Sequence, residues 1–193
     1  DTLCYHGRRG TEAMPTRAPR RQPRRQIDVR VFPAFRQQVK AAWVRRVADA
    51  ALAVGDPQGA AGVSVVIADD ETLRDLNARF RGFDYVTDVL SFGATGELLD
   101  PDAPPPEPSP EFPEISGITP MLGEVVLSYP LAERQADEHN VAVEREVALL
   151  VVHGVLHLLG HDHAKQDEEA TMKGLEAQAL ALVFSGFEGA ART

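Results

Sequence analysis

The most informative segment of this 193-residue chain is residues 141–163, VAVEREVALLVVHGVLHLLGHDH. Residues 141–159 are apolar on almost every side, which is typical of a helix buried at the centre of a domain. Asn140 is a good N-cap for such a helix, and Gly160 can take the left-handed conformation that ends one. The segment therefore predicts a central helix on which other elements pack.

Four of the chain's six histidines lie in this segment. His153 and His157 are four residues apart, so on a helix they lie one turn apart on the same face. Beyond the helix, either His161 or His163 can return toward the pair, and the spacing leaves both open. Three imidazoles would hold a divalent metal with one position open for water or substrate, as catalytic sites do. The alternative is that these are helix-end and surface histidines.

The residue after His153 argues against a standard zinc protease. In the H-E-x-x-H signature this position holds the glutamate that acts as general base. Here it is Gly154, which cannot accept a proton but allows another backbone or a ligand to approach closely. Glu146 lies on the same stripe as His153 and is placed to orient a histidine. An exposed acid in the first turn of the helix is the simpler interpretation.

The composition predicts one domain with a net negative charge. A hydrophobic content of 44% suffices for one core, and a net charge of −9 does not suggest a nucleic-acid binder. The single cysteine, Cys4, excludes an intramolecular disulfide and a Cys-based metal site, and is compatible with a reducing cytosol. No apolar run reaches membrane-spanning length, and no secretory signal follows the N-terminal arginines.

The two ends of the chain and one internal segment are predicted to lie outside the folded core. Residues 1–26 are rich in Arg and Pro and predict a disordered tail. A basic arm for RNA phosphates and an organellar transit peptide are the alternatives. Residues 94–120 hold eight prolines, six acids and no Lys or Arg, which predicts a flexible insertion loop between two strands. The domain itself is predicted to span residues 27–187, followed by a flexible C-terminus at residues 188–193.

The remaining pattern predicts four strands alternating with helices. Strands are expected at residues 27–32, 62–68, 89–92 and 122–128. Pro33 is expected to open a first helix that runs to Gly55, and Asp69 or Asp70 to cap a second one. A short helix is expected at residues 130–138. The predicted inner faces carry Leu73, Leu76 and Phe80 in the second helix, and Met172, Leu175, Ala179 and Leu182 in the last.

Three motifs, in this order, resemble the YbeY family of bacterial rRNA maturation factors. They are Leu76-Asn77-x-x-Phe80-Arg81-x-x-Asp84-x-x-Thr87-Asp88-Val89-Leu90-Ser91-Phe92, Leu122-Gly-Glu-Val-Val-Leu-Ser128, and His153-Gly-x-Leu-His157-Leu-x-Gly160-His161-Asp162-His163. The resemblance covers roughly residues 27–185 apart from the insertion. The chain departs from the family at His161, where a tyrosine is usual, and at Val86, where a proline is usual.

The resemblance implies an α+β fold with a small mixed four-stranded β-sheet flanked by helices, in agreement with the predicted elements. The buried central helix would carry the metal-binding histidines. The implied activity is that of a metal-dependent, single-strand-specific endoribonuclease, a cytoplasmic hydrolase acting in 16S rRNA 3′-end maturation and ribosome quality control. Its implied partners are single-stranded RNA of the 16S rRNA precursor, and the small ribosomal subunit with its assembly factors, without a membrane.

Carried over position by position, the family's site falls on four residues of this chain. His153, His157 and His163 match the metal ligands, and Arg81 matches a basic residue that meets RNA phosphate. All four are therefore expected to serve catalysis. The cofactor would be one divalent ion; imidazole ligands favour zinc, although nickel, copper or cobalt would fit the same nitrogens.

Two further functions are compatible with the residues. Another metallohydrolase, such as a peptidase, is weakened by Gly154. A ribosome-assembly binding factor would use a structural metal to order the last turn of the central helix. For the ribonuclease, Asp162 and His161 are the nearest candidates for the general base, and the 2′-hydroxyl of RNA is an alternative to water as nucleophile.

Overall fold

The computed structural model describes residues 25–94, 120–161 and 166–185. Four strands and five α-helices are formed there, and most of the predicted tail, insertion and C-terminus, together with His163, lies outside the described residues. The strands are β1 (Ile27–Val31), β2 (Gly62–Ala68), β3 (Val89–Gly93) and β4 (Met121–Ser128). The helices are α1 (Ala41–Gly55), α2 (Asp70–Arg81), α3 (Tyr129–His139), α4 (Val143–Leu158) and α5 (Gln166–Ser185), and a 3-10 turn (Pro33–Phe35) precedes α1.

The strands form one mixed sheet in the order β1-β2-β4-β3. β1 and β4 both run parallel to β2, whereas β3 runs antiparallel to β4 at the edge of the sheet. Helices join the parallel strands, because a parallel pair needs a long crossover connection. The predicted α+β fold with a mixed four-stranded sheet is confirmed.

The sheet separates a large core from a small one, because alternate side chains of a strand point to opposite faces. Val65 of β2 and Val125 of β4 face α1, α4 and α5, whereas Val66 and Val126 face α2. α4 packs against α1, α3, α5 and the two strands β3 and β4. Its apolar residues Val151, Val152, Val155 and Leu156 are fully buried, each stabilising the fold by about 1.5–3 kcal/mol. The prediction of a central helix is confirmed.

The end of α4 is fixed by the glycine that the sequence indicated. Gly160 has φ +84°, and its N–H donates to the His157 carbonyl at 2.9 Å. The N–H of His161 donates to the Leu156 carbonyl at 3.0 Å. This pair of hydrogen bonds is a Schellman motif, so the chain turns away sharply after the two helical histidines.

The starts of two helices were predicted wrongly. The first helix begins at Ala41 rather than at Pro33, because the turn before it buries Val39 and sets the Phe35 ring 5.1 Å from that of Tyr129. Apolar residues at helical spacing were thus buried without a continuous helix. Asn140 does not cap α4 but ends α3 in the left-handed conformation, with φ +53°.

Two predicted core residues are exposed, and one predicted tail residue is packed. Phe80 and Leu182 are 48% and 58% exposed, because each lies at the edge of the buried face of its helix. The Arg25 guanidinium donates to the Asp56 carbonyl at 2.9 Å, so this residue of the predicted tail packs against the end of α1. No helix among the described residues has the length and apolar character needed to cross a membrane.

Candidate active site

The side chains of His153 and His157 meet on one face of α4. Their rings are edge to face, with centroids 4.5 Å apart, and their Nε2 atoms are 3.0 Å apart. Two nitrogens bound to one tetrahedral zinc at about 2.0–2.1 Å each lie roughly 3.3 Å from one another. The pair therefore converges on a single point in the way a shared metal ion requires.

A carboxylate from α5 orients the first of these rings. Glu176 Oε1 lies 2.8 Å from His153 Nδ1, and its side chain is only 15% exposed. A carboxylate can only accept, so Nδ1 donates, and in the neutral imidazole Nε2 then keeps the lone pair on the side of His157. Metal-binding histidines almost always have such a partner on their second nitrogen.

Glu176 was not among the predicted site residues, although the sequence held a signal for it. It follows Met172 by four residues and precedes Ala179 by three, so it lies on the buried face of α5. An acid inside an apolar stripe must find a partner. That His153 is this partner could not be deduced without knowing how α5 packs on α4.

The two candidates for the third ligand lie differently. The His161 ring lies against the end of α1, where its Nε2 would be 3.6 Å from a Cβ placed on Gly55. His163 lies among residues 162–165, outside the described part of the chain. Within the described part, no three His, Cys, Asp or Glu side chains converge on one metal position. The structure thus brings together two of the three predicted ligands.

Gly154 allows α4 to approach the sheet. A Cβ at this position would lie 2.6 Å from Val125 Cγ1 and 3.1 Å from Ser91 Oγ. The Ser91 hydroxyl donates to the Gly154 carbonyl at 3.2 Å. The close approach that the glycine permits is therefore to β3 and β4, and a side chain at Gly154 would point into the core rather than toward the histidine pair.

A cavity of about 370 Å³ lies beside His153. Its polar lining comes from three helices and the start of β3: Asp88, Gln135, His139, Glu146, His153, Glu169, Lys173 and Glu176. Glu146 is 5% exposed and lies 3.2 Å from His139 Nδ1. The interpretation of Glu146 as an exposed acid was therefore wrong: it is buried and partners a histidine, although not one of the predicted ligands.

Arg81, the predicted phosphate contact, lies in a different layer. It is the half-buried last residue of α2, which packs on the sheet face opposite α4. The loop after it, residues 82–88, leads to β3 and ends at Asp88 in the wall of the cavity. Asp88 is held by the Val89 N–H at 2.8 Å and the Gln135 amide at 3.1 Å.

Comparison with known proteins places this architecture in a family. The profile described as Endoribonuclease YbeY matches residues 30–183. The chain belongs to the YbeY family. This confirms the resemblance carried by the three sequence motifs.

Three bacterial YbeY proteins show the extent of the similarity. Endoribonuclease YbeY of Dehalococcoides mccartyi is 38% identical over 157 residues, covering 80% of this chain and 88% of the relative. That of Roseiflexus castenholzii is 36% identical over 167 residues, covering 84% and 96%. That of Shouchella clausii is 46% identical over 110 residues, covering 57% and 64%.

A solved structure shares the fold described above. The solution structure of a protein from Thermotoga maritima superposes with a TM-score of 0.54 at 22% sequence identity. It covers 85% of this chain and 93% of the other. At this identity the likeness supports the fold alone.

Proposed function

We propose that this chain is a metal-dependent, single-strand-specific endoribonuclease acting in 16S rRNA 3′-end maturation and ribosome quality control. Its relatives carry the name endoribonuclease. The observation that carries the proposal is the convergence of His153 and His157, with their Nε2 atoms 3.0 Å apart and Glu176 orienting one ring. We place the protein in the cytoplasm, where precursor 16S rRNA, the small ribosomal subunit and its assembly factors would be its partners.

His153, His157 and His163 would hold one divalent ion, which we propose to be zinc because imidazole nitrogen suits it. Such an ion, when bound, acts as a Lewis acid toward a phosphate oxygen and lowers the pKa of water. The location of His161 against α1 supports His163 as the third ligand.

The protein's own contribution is to keep this site rigid and polarised. α4 is anchored in the core on every side but the histidine face, so the two rings need little reorganisation when substrate binds. Glu176 keeps Nε2 of His153 available as a ligand. Arg81 is proposed to bind the RNA phosphate, since a guanidinium can donate two parallel hydrogen bonds to it.

The proposal is tested on purified protein with a single-stranded fragment of the 16S rRNA 3′ region. Metal content and cleavage are measured for wild type and His153→Ala, before chelation, after it, and after zinc is returned. We expect about one zinc per wild-type chain, cleavage that chelation abolishes and zinc restores, and neither metal nor cleavage in His153→Ala. A base-paired form of the same fragment should resist cleavage.

Equal cleavage by wild type and His153→Ala, also after chelation, would contradict the ribonuclease and favour a binding factor for ribosome assembly. A peptidase activity that His153→Ala loses would instead support another metallohydrolase.

Glu176→Ala is expected to weaken zinc binding by about 10- to 100-fold, because His153 loses the acceptor that fixes its tautomer and ring orientation. The measurement is competition with a chelator of known affinity. Glu176→Gln retains a carbonyl oxygen that can accept from Nδ1 and should recover much of the affinity. Gln178→Ala, on the exposed side of α5 and outside the lining of the cavity, is the matched control. Unchanged zinc affinity in Glu176→Ala would show that the carboxylate has no role in positioning His153.

A further inference from the structure

Three exposed aromatic side chains lie close in sequence where α2 ends and the loop to β3 begins. Phe80, Phe83 and Tyr85 are 48%, 47% and 58% exposed, and we call them the aromatic patch. The rings of Phe83 and Tyr85 are tilted by 33° with centroids 5.5 Å apart. In the described part of the chain, only Leu182 is a comparably exposed large apolar side chain. Clustered apolar exposure of this kind marks an interaction surface.

The loop that carries the patch is held in place by a buried side chain. Asn77 is 1% exposed, and its Nδ2 donates to the Tyr85 carbonyl at 2.9 Å. The backbone carbonyl of Asn77 accepts from the N–H groups of Gly82 and Phe83. The rings are thus presented by an ordered backbone, which lowers the entropy cost of binding.

Cations accompany these rings. The Arg79 guanidinium lies 5.7 Å from the centre of the Phe80 ring, and Arg81 follows one residue later. The nearby acid Asp84 is bound by Arg74 through two hydrogen bonds, at 2.6 and 2.9 Å. This pairing lowers the pKa of Asp84 and partly neutralises its charge. The patch therefore offers aromatic faces beside positive charge on a chain whose net charge is −9.

The patch is connected to the candidate active site. Three residues after Tyr85, the same loop reaches Asp88, which lines the cavity beside His153. The loop therefore borders both the aromatic patch and the cavity beside His153.

We propose that the aromatic patch stacks the unpaired bases of single-stranded RNA and so selects single strands over duplexes. Every base has a π-face, so stacking on an aromatic side chain tolerates any sequence. In a duplex the base faces are covered by their neighbours, whereas in single strands they can be splayed onto protein rings. The inference rests on the proposed ribonuclease function and adds how that substrate is held.

The test compares wild type with Phe83→Leu/Tyr85→Leu, which keeps apolar bulk but removes both π-faces. Affinity is measured by fluorescence anisotropy with a labelled single-stranded RNA of about twelve nucleotides, a length typical of such sites. We expect binding to weaken roughly tenfold to a hundredfold. An abasic oligonucleotide of the same length should bind both proteins equally. Leu182→Ala is the matched control, because its side chain is as exposed as that of Tyr85.

Each of three results would contradict base stacking by the patch. They are unchanged affinity in the double variant, an equal loss of affinity for abasic RNA, and an equal loss of affinity for duplex RNA. The first of these is also the result expected if the patch binds a protein. The thermal unfolding midpoint should stay the same, since both side chains are exposed. If wild type cleaves RNA and the double variant binds and cleaves RNA equally well, only the stacking proposal is contradicted. If wild type neither binds nor cleaves RNA, both the stacking proposal and the proposed ribonuclease function are contradicted.

Discussion

His163→Ala is expected to abolish RNA cleavage and to lower zinc affinity more than about a hundredfold, whereas His161→Ala should leave both close to wild type. Losing the hydrogen-bond partner of a ligand costs about 10- to 100-fold in metal affinity, and losing the ligand itself should cost more. The two histidines are separated by one residue, yet the His161 ring lies against Gly55 at the end of α1. The measurement is zinc per chain after dialysis, together with cleavage of single-stranded RNA.

His161→Tyr gives the sharper control for this comparison. This variant carries the tyrosine that is usual in the family at position 161, and it should bind zinc as tightly as wild type does. Loss of zinc in His161→Ala with retention in His163→Ala would reverse the assignment of the third ligand. Equal retention in both would leave only the helical pair and contradict the three-histidine site.

Gly154→Glu, which would create the H-E-x-x-H signature, is expected to unfold the domain rather than to create a peptidase. Its Cβ would lie 2.6 Å from Val125 Cγ1, and overpacking of this kind costs about 1–3 kcal/mol. The carboxylate would also be buried between α4 and the sheet, where an unpaired charge costs several kcal/mol more. The sum approaches the total stability of a typical domain, about 5–15 kcal/mol. Urea or thermal unfolding measures the loss.

Gly154→Ala tests the steric effect of a Cβ at this position without the effect of a buried carboxylate. The same Cβ contact is made without a carboxylate at a cost of about 1–3 kcal/mol. Better helix propensity returns about 1 kcal/mol, so the net loss is expected to be at most about 2 kcal/mol. Val125→Ala removes the atom that is crowded. The double variant should therefore be more stable than the sum of the two single losses predicts. If the two losses in unfolding free energy add, the Cβ at position 154 does not clash with Val125.

Much of the fold could be predicted because local patterns and burial agree. The β-branched run of β2, the all-round apolar α4 and the glycine after it each have one conformation that buries apolar groups and satisfies the backbone. The errors came where local pattern and tertiary packing diverge. Phe35 and Val39 lie at helical spacing, but a 3-10 turn half-buries Phe35 and a bend buries Val39 without a continuous helix.

The site was less predictable because its contacts join residues far apart in sequence. The spacing of His153 and His157 sufficed for the helical pair. The contact between Glu176 and His153 depends on how α5 packs against α4, and that of Glu146 with His139 depends on the angle between α3 and α4. Neither angle follows from the composition of a helix, since several crossing angles suit the same apolar stripe. The metal, the role of Arg81 and the 16S rRNA substrate remain predictions.

The antiparallel pairing of β3 with β4 has a consequence for how the chain tolerates insertions. Gly93 and Gly123 lie opposite each other in adjacent strands, so the connection between them leaves and re-enters the sheet at almost the same point. For loops in general, each doubling of length costs only about 0.6 kcal/mol of closure entropy. Length variation among homologues is therefore expected to accumulate at this corner. A reporter domain fused into the connection would leave the spacing of α4 and α5 unchanged.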